Sequence, residues 1–497
     1  MDQLRPESSS SSSQQHHPNL VSDRVRINGA VTVLTLTADG KLRWTGGEGQ
    51  RDLTLEKEVL GFAIEGAKIR VKTVVEKGGG ICCVGSAGTL VRKDFVFEPL
   101  NRDAQVLWCR CLRDSLDSLG RPKRLFVFVN PFGGKNCASK IFFDDVKPLL
   151  EDAGVQFTLQ ETKYRLHAKD VASHLDLSKY DGIVCVSGDG VLAEVVNGLL
   201  SRDDWSEAIK MPIGMVPAGT GNGMVKSALD LVGEPCKATN AVLAIIRGHK
   251  RTLDVATMVQ GGVKYFSVLM LAWGLVADID IESEKYRWMG SARLEFYAFQ
   301  RIFNMRKYNG CISFVPAPGF EAYGEPSSYS GESPAELNSS LEQPGKTRRC
   351  GYQGPDVDLT TLNWRTINGP FVSVWLHNVP WGAEDTMAAP DAKFSDGYLD
   401  LILIKDCPKL FLLSFLTQLS TGDHVTSEYV VYLKVKAFIL EPGSRVEETT
   451  KGGIIDVDGE VLARGNGTYK CDEKTLMAYD KLQIVVDQGL ATVYAPV

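Results

Sequence analysis

Residues 182–198 read Gly-Ile-Val-Cys-Val-Ser-Gly-Asp-Gly-Val-Leu-Ala-Glu-Val-Val-Asn-Gly. A short apolar run, Gly182–Val186, has the length and β-branching of a buried strand. It enters a tight turn, Gly188-Asp189-Gly190, that holds one carboxylate between two glycines. Val191, Leu192, Val195, Val196 and Leu199 then recur on one side of a helix. A strand, a Gly-Asp-Gly turn and a helix let backbone approach a ligand closely and present one acid at a strand's C-terminal end. The same three residues also suit an ordinary turn, so the neighbouring segments decide the matter.

Two further turns of this kind flank it. Arg124–Val129 is a continuous apolar run that leads into Asn130-Pro131-Phe132-Gly133-Gly134-Lys135 and a helix over Ala138–Asp152. A strand at Phe157–Gln160, a polar turn at Glu161–Leu166 and a helix at Ala168–Leu175 follow. Pro212–Val216 then runs into Pro217-Ala218-Gly219-Thr220-Gly221-Asn222-Gly223 and a helix through Leu231. Buried strands alternating with helices predict an α/β nucleotide-binding domain, a parallel sheet with helices on both faces. Glycine turns at the strand ends suit backbone N–H groups that wrap a phosphate. Neither the Walker A pattern nor G-x-G-x-x-G is present.

The 497 residues carry a net charge of −6, which gives no broad attraction for nucleic acid. Eleven cysteines without a C-x-x-C pair or zinc-type histidine spacing read as reduced thiols of an intracellular protein, with no metal ligands assigned. No apolar run reaches the ~18 residues of a spanning helix. The polar N-terminus lacks a signal-peptide core.

Residues 1–19 are Ser-, Gln- and His-rich and read as a disordered tail. Residues 20–118 read as a small β-domain closed by a helix over Asp103–Leu116, of pleckstrin-homology-like type, with a hairpin at Asp39-Gly40 and a strand at Ile81–Val84. The catalytic domain is placed at 121–251. From 252 to 497 the pattern is β-rich, a sandwich-like lipid-substrate domain. It carries one long helix at Ile281–Met305, an apolar helix at Lys409–Leu419 and a disordered insertion at 316–368.

The order N-P-x-G-G, S-G-D-G-x-x-x-E-V-x-N-G and P-x-G-T-G-N resembles the diacylglycerol-kinase-type catalytic domain. The stretch Leu271–Arg287, together with Gly397–Leu401 and Asp456-Val457-Asp458-Gly459-Glu460, resembles the sphingosine (long-chain base) kinases of that superfamily. The resemblance implies ATP and Mg²⁺ as cofactors and a long-chain base as lipid substrate. It implies Asp189 as the base that takes the proton of the lipid's primary hydroxyl. It implies nucleotide contacts at Asn130, Pro131, Phe132, Thr162, Lys163, Tyr164, Arg165, Leu166, Glu194, Ala218, Gly219 and Thr220. From the later domain it adds Arg287, Arg293, Asp458, Gly459 and Glu460.

On the substrate side it implies Ser187 near the reacting hydroxyl, Asp280 at the cationic amine, and a tail pocket with Phe415, Leu416, Leu419 and His424. Phe296, Phe299, Phe303 and Met305 are candidates for the opposite wall. Asp278 faces the same way as Asp280 if that segment is extended, so the residues leave the two acids unresolved. Both would also serve as caps of the long helix. The expected setting is cytoplasmic with peripheral contact to an intracellular membrane, with a homodimer left open. A ceramide or diacylglycerol kinase is the competing enzyme, although neither substrate offers a free amine. A catalytically silent lipid-binding adaptor is the competing non-enzyme.

Overall fold

A computed structural model describes residues 19–46, 49–76, 90–134, 137–290, 292–331, 351–472 and 474–497. The chain divides into two compact units, Met1–Arg121 with Asp152–Gly154, and Pro122–Glu151 with Val155–Val497.

In the first unit the described residues form a seven-stranded antiparallel sheet. The hairpin at Asp39-Gly40 joins strands Ala30–Thr37 and Lys41–Gly46, with Gly40 at φ +73°. Helix Arg102–Ser118 begins at Asn101, whose side chain accepts from Ala104 N. Trp108, Cys109, Leu112 and Leu116 line one helical stripe and pack with Leu34, Leu36, Leu42 and Phe97. The strand expected at Ile81–Val84 lies outside the described residues.

The second unit is built on one sheet, sixteen-stranded among the described residues. At one end four parallel strands run in the order Gln156–Glu161, Arg124–Val129, Gly182–Ser187, Ile213–Pro217. The chain steps outward to one side of Arg124–Val129 and to the other side of Gly182–Ser187. The switch point therefore lies between these two neighbours, and the crevice there is where open α/β sheets bind ligands. Arg124–Val129 is buried from Leu125 on, and Gly182–Ser187 throughout, as strands covered on both faces require.

The remaining strands are antiparallel and enclose a core of Trp273, Tyr308, Phe314, Phe371, Phe438 and their aliphatic neighbours. The last strand, Leu482–Tyr494, joins the two parts. It pairs with Val431–Arg445 and Lys250–Gln260, then lies parallel beside Ile213–Pro217.

Two expectations are corrected. The long helix is broken: helix Leu275–Glu282 starts after Gly274 at φ +92°, a 3₁₀ stretch follows at Ser283–Met289, and a second helix spans Ala292–Phe303. The insertion is ordered at both flanks. Trp364–Asn368 pairs with Tyr308–Pro316, and Trp364, 2% exposed, packs beside Val315 and Ile439. Apolar side chains spaced among Ser, Gly and Pro supply that anchor without any periodic signal. Residues 332–350 lie outside the described residues.

Candidate active site

Three backbones meet at the head of the parallel strands. Asn130 N donates to Val186 O, and Ala218 N to Ser187 O, each at 3.2 Å. A Cβ on Gly134 would fall 2.9 Å from the Gly219 carbonyl carbon. One on Gly188 would fall 3.2 Å from Gly219 Cα, and one on Gly219 would overlap the Gly188 backbone. Glycine is required at these positions because peptide planes touch with no room for a side chain. The expected nucleotide loops 130–134, 188–190 and 218–220 are thus one cradle. Phe132 and Thr220 lie exposed at its rim, while Ala218 and Ser187 are buried beneath it. Pro131 is half-buried, and Lys135 lies outside the described residues.

Asp189 opens helix Asp189–Leu200 and turns its carboxylate onto the start of the next helix, Gly223–Asp230. Oδ2 accepts from Gly223 N at 2.8 Å and Oδ1 from Met224 N at 3.0 Å. Burial pushes its pKa up against these two bonds. Each oxygen keeps a second lone pair for a proton.

Glu194, one helical turn on, does not reach into the cradle. Its two oxygens accept from Leu166 N and Ala168 N, each at 3.0 Å. It therefore clips the Thr162–Leu166 turn, where Leu166 sits at φ +69°. Thr162 Oγ1 donates to Asn130 Oδ1 at 3.3 Å, which joins that turn to the first glycine loop. Lys163, Tyr164 and Arg165 remain exposed.

Two segments from the β-rich part close over these turns. Arg165 pairs with Glu460 at 2.9 Å, and a Cβ on Gly190 would lie 3.8 Å from Glu460 Oε1. The Asp458-Gly459-Glu460 turn therefore reaches the Gly-Asp-Gly turn. Asp458 itself does not face the crevice. At φ +54° it accepts from Ser267 Oγ, Val268 N, Leu269 N and Met270 N, at 2.7 to 3.2 Å. Burial still pushes its pKa up to about 6. The second segment is the hairpin Trp381–Met387: Asn222 Nδ2 donates to Glu384 Oε1 at 2.6 Å, and Glu384 N to Gly221 O at 2.9 Å.

The two acids the sequence left unresolved are separated by the helix Leu275–Glu282. Two residues apart at ~100° each, they point to opposite sides. Asp278 is fully buried and accepts from Tyr308 OH at 2.6 Å and Arg306 Nη1 at 3.0 Å, with Arg301 at 3.6 Å. It is spent on a buried ionic cluster. Neither acid is an N-cap: Gly274 holds that position, and Asp278 falls in the first turn of Leu275–Glu282. Asp280 keeps 28% of its side chain exposed. Arg293, expected at a phosphate, instead faces it: Nη1 donates to the Asp280 carbonyl at 3.2 Å and to Ser283 Oγ at 2.7 Å, and Nη2 lies 4.0 Å from Oδ1. The Arg287 side chain lies outside the described residues.

Helix Lys409–Gln418 buries Leu412 and Phe415. Leu416 and Leu419 are half-buried, and Leu410 is 78% exposed. His424 is fully buried; its Nε2 lies 3.0 Å from Ala388 O and its ring stands edge-on to Phe415 at 5.1 Å. Phe296, Phe299 and Phe303 are exposed, so they do not wall an enclosed pocket; Met305 is half-buried.

Residues 124–258 match the diacylglycerol kinase catalytic domain, and residues 360–478 match the YegS C-terminal NAD kinase beta sandwich-like domain. Over 479 residues the chain is 65% identical to "Sphingosine kinase 1" of Arabidopsis thaliana, covering 96% of this chain and 97% of that one. The chain belongs to the sphingosine kinase family. It is also 33% identical to "Sphingosine kinase 1" of Homo sapiens over 361 residues, covering 69% of this chain and 87% of that one. A solved diacylglycerol kinase from Bacillus anthracis str. Sterne aligns with a TM-score of 0.46 and 17% identity, covering 76% of this chain and 97% of that one.

Beside the residues that the sphingosine kinase motifs pick out stand others that sequence reading passed over. Glu384 is one, since nothing in Trp381–Met387 marks a hairpin that reaches a distant turn. Asp456 is another: it is fully buried beside Asp280. It heads the quoted motif Asp456-Val457-Asp458-Gly459-Glu460, where no role was assigned to it, and it stands as an acid inside the otherwise apolar strand Ile454–Val457.

Proposed function

We propose that the crevice above Gly188-Asp189-Gly190 is where ATP phosphorylates the primary hydroxyl of a sphingoid long-chain base. The chain is a lipid kinase that uses ATP and acts on sphingoid bases. The residue roles are our reading, and the packed Gly134–Gly188–Gly219 backbone with Asp189 beside it carries that reading.

In this reading the N–H groups of the three glycine turns hold the nucleotide's phosphates, and Arg165 adds a cation at the rim. Asp280 receives the ammonium of the base through a charge-assisted hydrogen bond. The hydroxyl oxygen attacks the γ-phosphorus as the bond to the β-phosphate's bridging oxygen breaks. ADP leaves, and the hydroxyl proton passes to Asp189. A pKa raised by burial makes Asp189 a stronger base than a solvated aspartate.

Magnesium would arrive on the nucleotide. The described residues offer no cluster of three His, Cys, Asp or Glu to hold a resident ion, and Mg²⁺ commonly rests on phosphates with one or two protein oxygens.

The tail reading rests on Phe415, Leu416, Leu419 and His424. The N-terminal sheet with its Trp108 helix supports a pleckstrin-homology-like type, without a ligand assigned to it. The exposed Phe296, Phe299, Phe303 and Leu410 lie on two helices joined by a 2.7 Å bond from Lys409 Nζ to Phe303 O. They form the surface we assign to peripheral membrane contact.

The decisive variant is Asp189→Asn. Turnover falls by about 10²–10⁴-fold while a non-hydrolysable ATP analogue binds as before. Residual activity above a tenth of wild type would remove Asp189 from the base role.

A further inference from the structure

Asp456 differs from the other buried acids of this unit. Asp458 has four donors, Asp278 has Tyr308 and Arg306, and Asp254 accepts from Gly397 N and Gly489 N. Asp456 is 0% exposed, and neither of its oxygens meets an N–H or O–H donor among the described residues. An unpartnered buried carboxylate costs several kcal/mol if ionised. Its polar neighbour is the carboxyl of Asp280 on the helix packed against strand Ile454–Val457. Two carboxyl groups within hydrogen-bond reach hold together only when one carries a proton.

We propose that Asp456 is the second carboxylate of the amine site, and that the ammonium of the long-chain base takes the place of the proton it shares with Asp280. The proposal rests on the assignment of Asp280 to the amine. Charge supports it. With the shared proton, the two acids and Arg293 sum to zero. Without it they sum to minus one, and one ammonium restores zero. Glu284, Asp458 and Glu460 add further negative field from the 3₁₀ stretch and the neighbouring turn, and Arg293 is the cation that faces the pair. Burial and the mutual repulsion of the two acids both push Asp456 upward, so the proton is held until a cation displaces it. A neutral lipid alcohol has nothing to put in its place, so the pair selects for a free amine.

Asp456→Asn, assayed on the full chain with sphinganine and with its neutral analogue bearing a hydroxyl in place of the amine, tests this. The KM for sphinganine rises 10- to 100-fold, the KM for ATP and the melting temperature stay near wild type, and the neutral analogue is not turned over any less well. An unchanged sphinganine KM, or an equal loss on ATP and the neutral analogue, overturns the proposal. Asp280→Ala separates the two claims. If it leaves the sphinganine KM unchanged, the Asp280 assignment fails; if it raises that KM and Asp456→Asn does not, only the role of Asp456 fails. A wild-type measurement needs no variant to fold: calorimetric titration with a water-soluble short-chain base, in buffers of different ionisation enthalpy near pH 7. About one proton is released per base bound; no release overturns the proposal.

Discussion

Asp278 and Asp280 carry the same functional group two residues apart, yet their surroundings give them opposite uses. Asp278 sits inside a cage of Tyr308, Arg306 and Arg301, and Glu282 accepts from Arg306 at 3.0 Å within the same cluster. Asp280 is partly open, meets one arginine at 4.0 Å and lies beside the carboxyl of Asp456, to which an asparagine amide could equally donate. Removing one partner from a buried ionic cluster costs about 3–5 kcal/mol, whereas an edge pair is worth about 1 kcal/mol or less. Asp278→Asn is therefore expected to lower the melting temperature strongly, with no selective effect on either substrate. Asp280→Asn should leave melting nearly unchanged and raise the long-chain base KM more than tenfold. Thermal melts and steady-state kinetics on both variants check this; a stability loss for Asp280→Asn as large as that for Asp278→Asn would contradict it. The sequence could not separate the two acids because their separation depends on the helix starting at Gly274 rather than after Asp280. A glycine at φ +92° left no periodic mark.

At the level of elements, each glycine turn was legible from its own residues, as was its place at the end of a buried strand. Their contact was not, because it depends on strand order. Gly188 touches Gly219 only because Gly182–Ser187 and Ile213–Pro217 are neighbours. The same dependence hid the bonds that Glu194 and Asp458, both expected at the nucleotide, accept from backbone N–H groups. Asp458 allows a test of its bonds. Its pKa, raised to about 6 by burial, means that the native state keeps a proton an unfolded aspartate loses near pH 4. That contribution to stability is complete below about pH 4 and is lost as pH rises through about 6. In Asp458→Asn this component vanishes, and at least one amide among the four donors goes unpaired, at about 1–3 kcal/mol. Melting curves from pH 4 to 7 should show the wild type losing stability relative to the variant across that window. A constant difference would refute the assignment.

At the level of the molecule, the second unit was expected as two domains meeting near residue 251, and sixteen of its described strands run through both parts as one sheet. Leu482–Tyr494 runs from the antiparallel part into the parallel part, which composition cannot reveal because the strand reads as β in either setting. No helix among the described residues is long and apolar enough to cross a membrane. The exposed rings of Phe299 and Phe303, 48% and 65% accessible, belong to the surface we propose for peripheral membrane contact. Phe299→Ser with Phe303→Ser should cut co-sedimentation with phospholipid vesicles several-fold, while turnover of a water-soluble short-chain base persists. Undiminished vesicle binding would move the membrane contact elsewhere.

The central claim is that Asp189 serves a lipid hydroxyl whose neighbouring amine is held by an acid. The direct measurement incubates the purified chain with γ-labelled ATP and, in parallel, sphinganine, sphingosine, phytosphingosine, ceramide and diacylglycerol in mixed micelles. Label is expected on the three free-amine bases and at background on ceramide and diacylglycerol. Label on diacylglycerol or ceramide at rates equal to the bases would contradict the account.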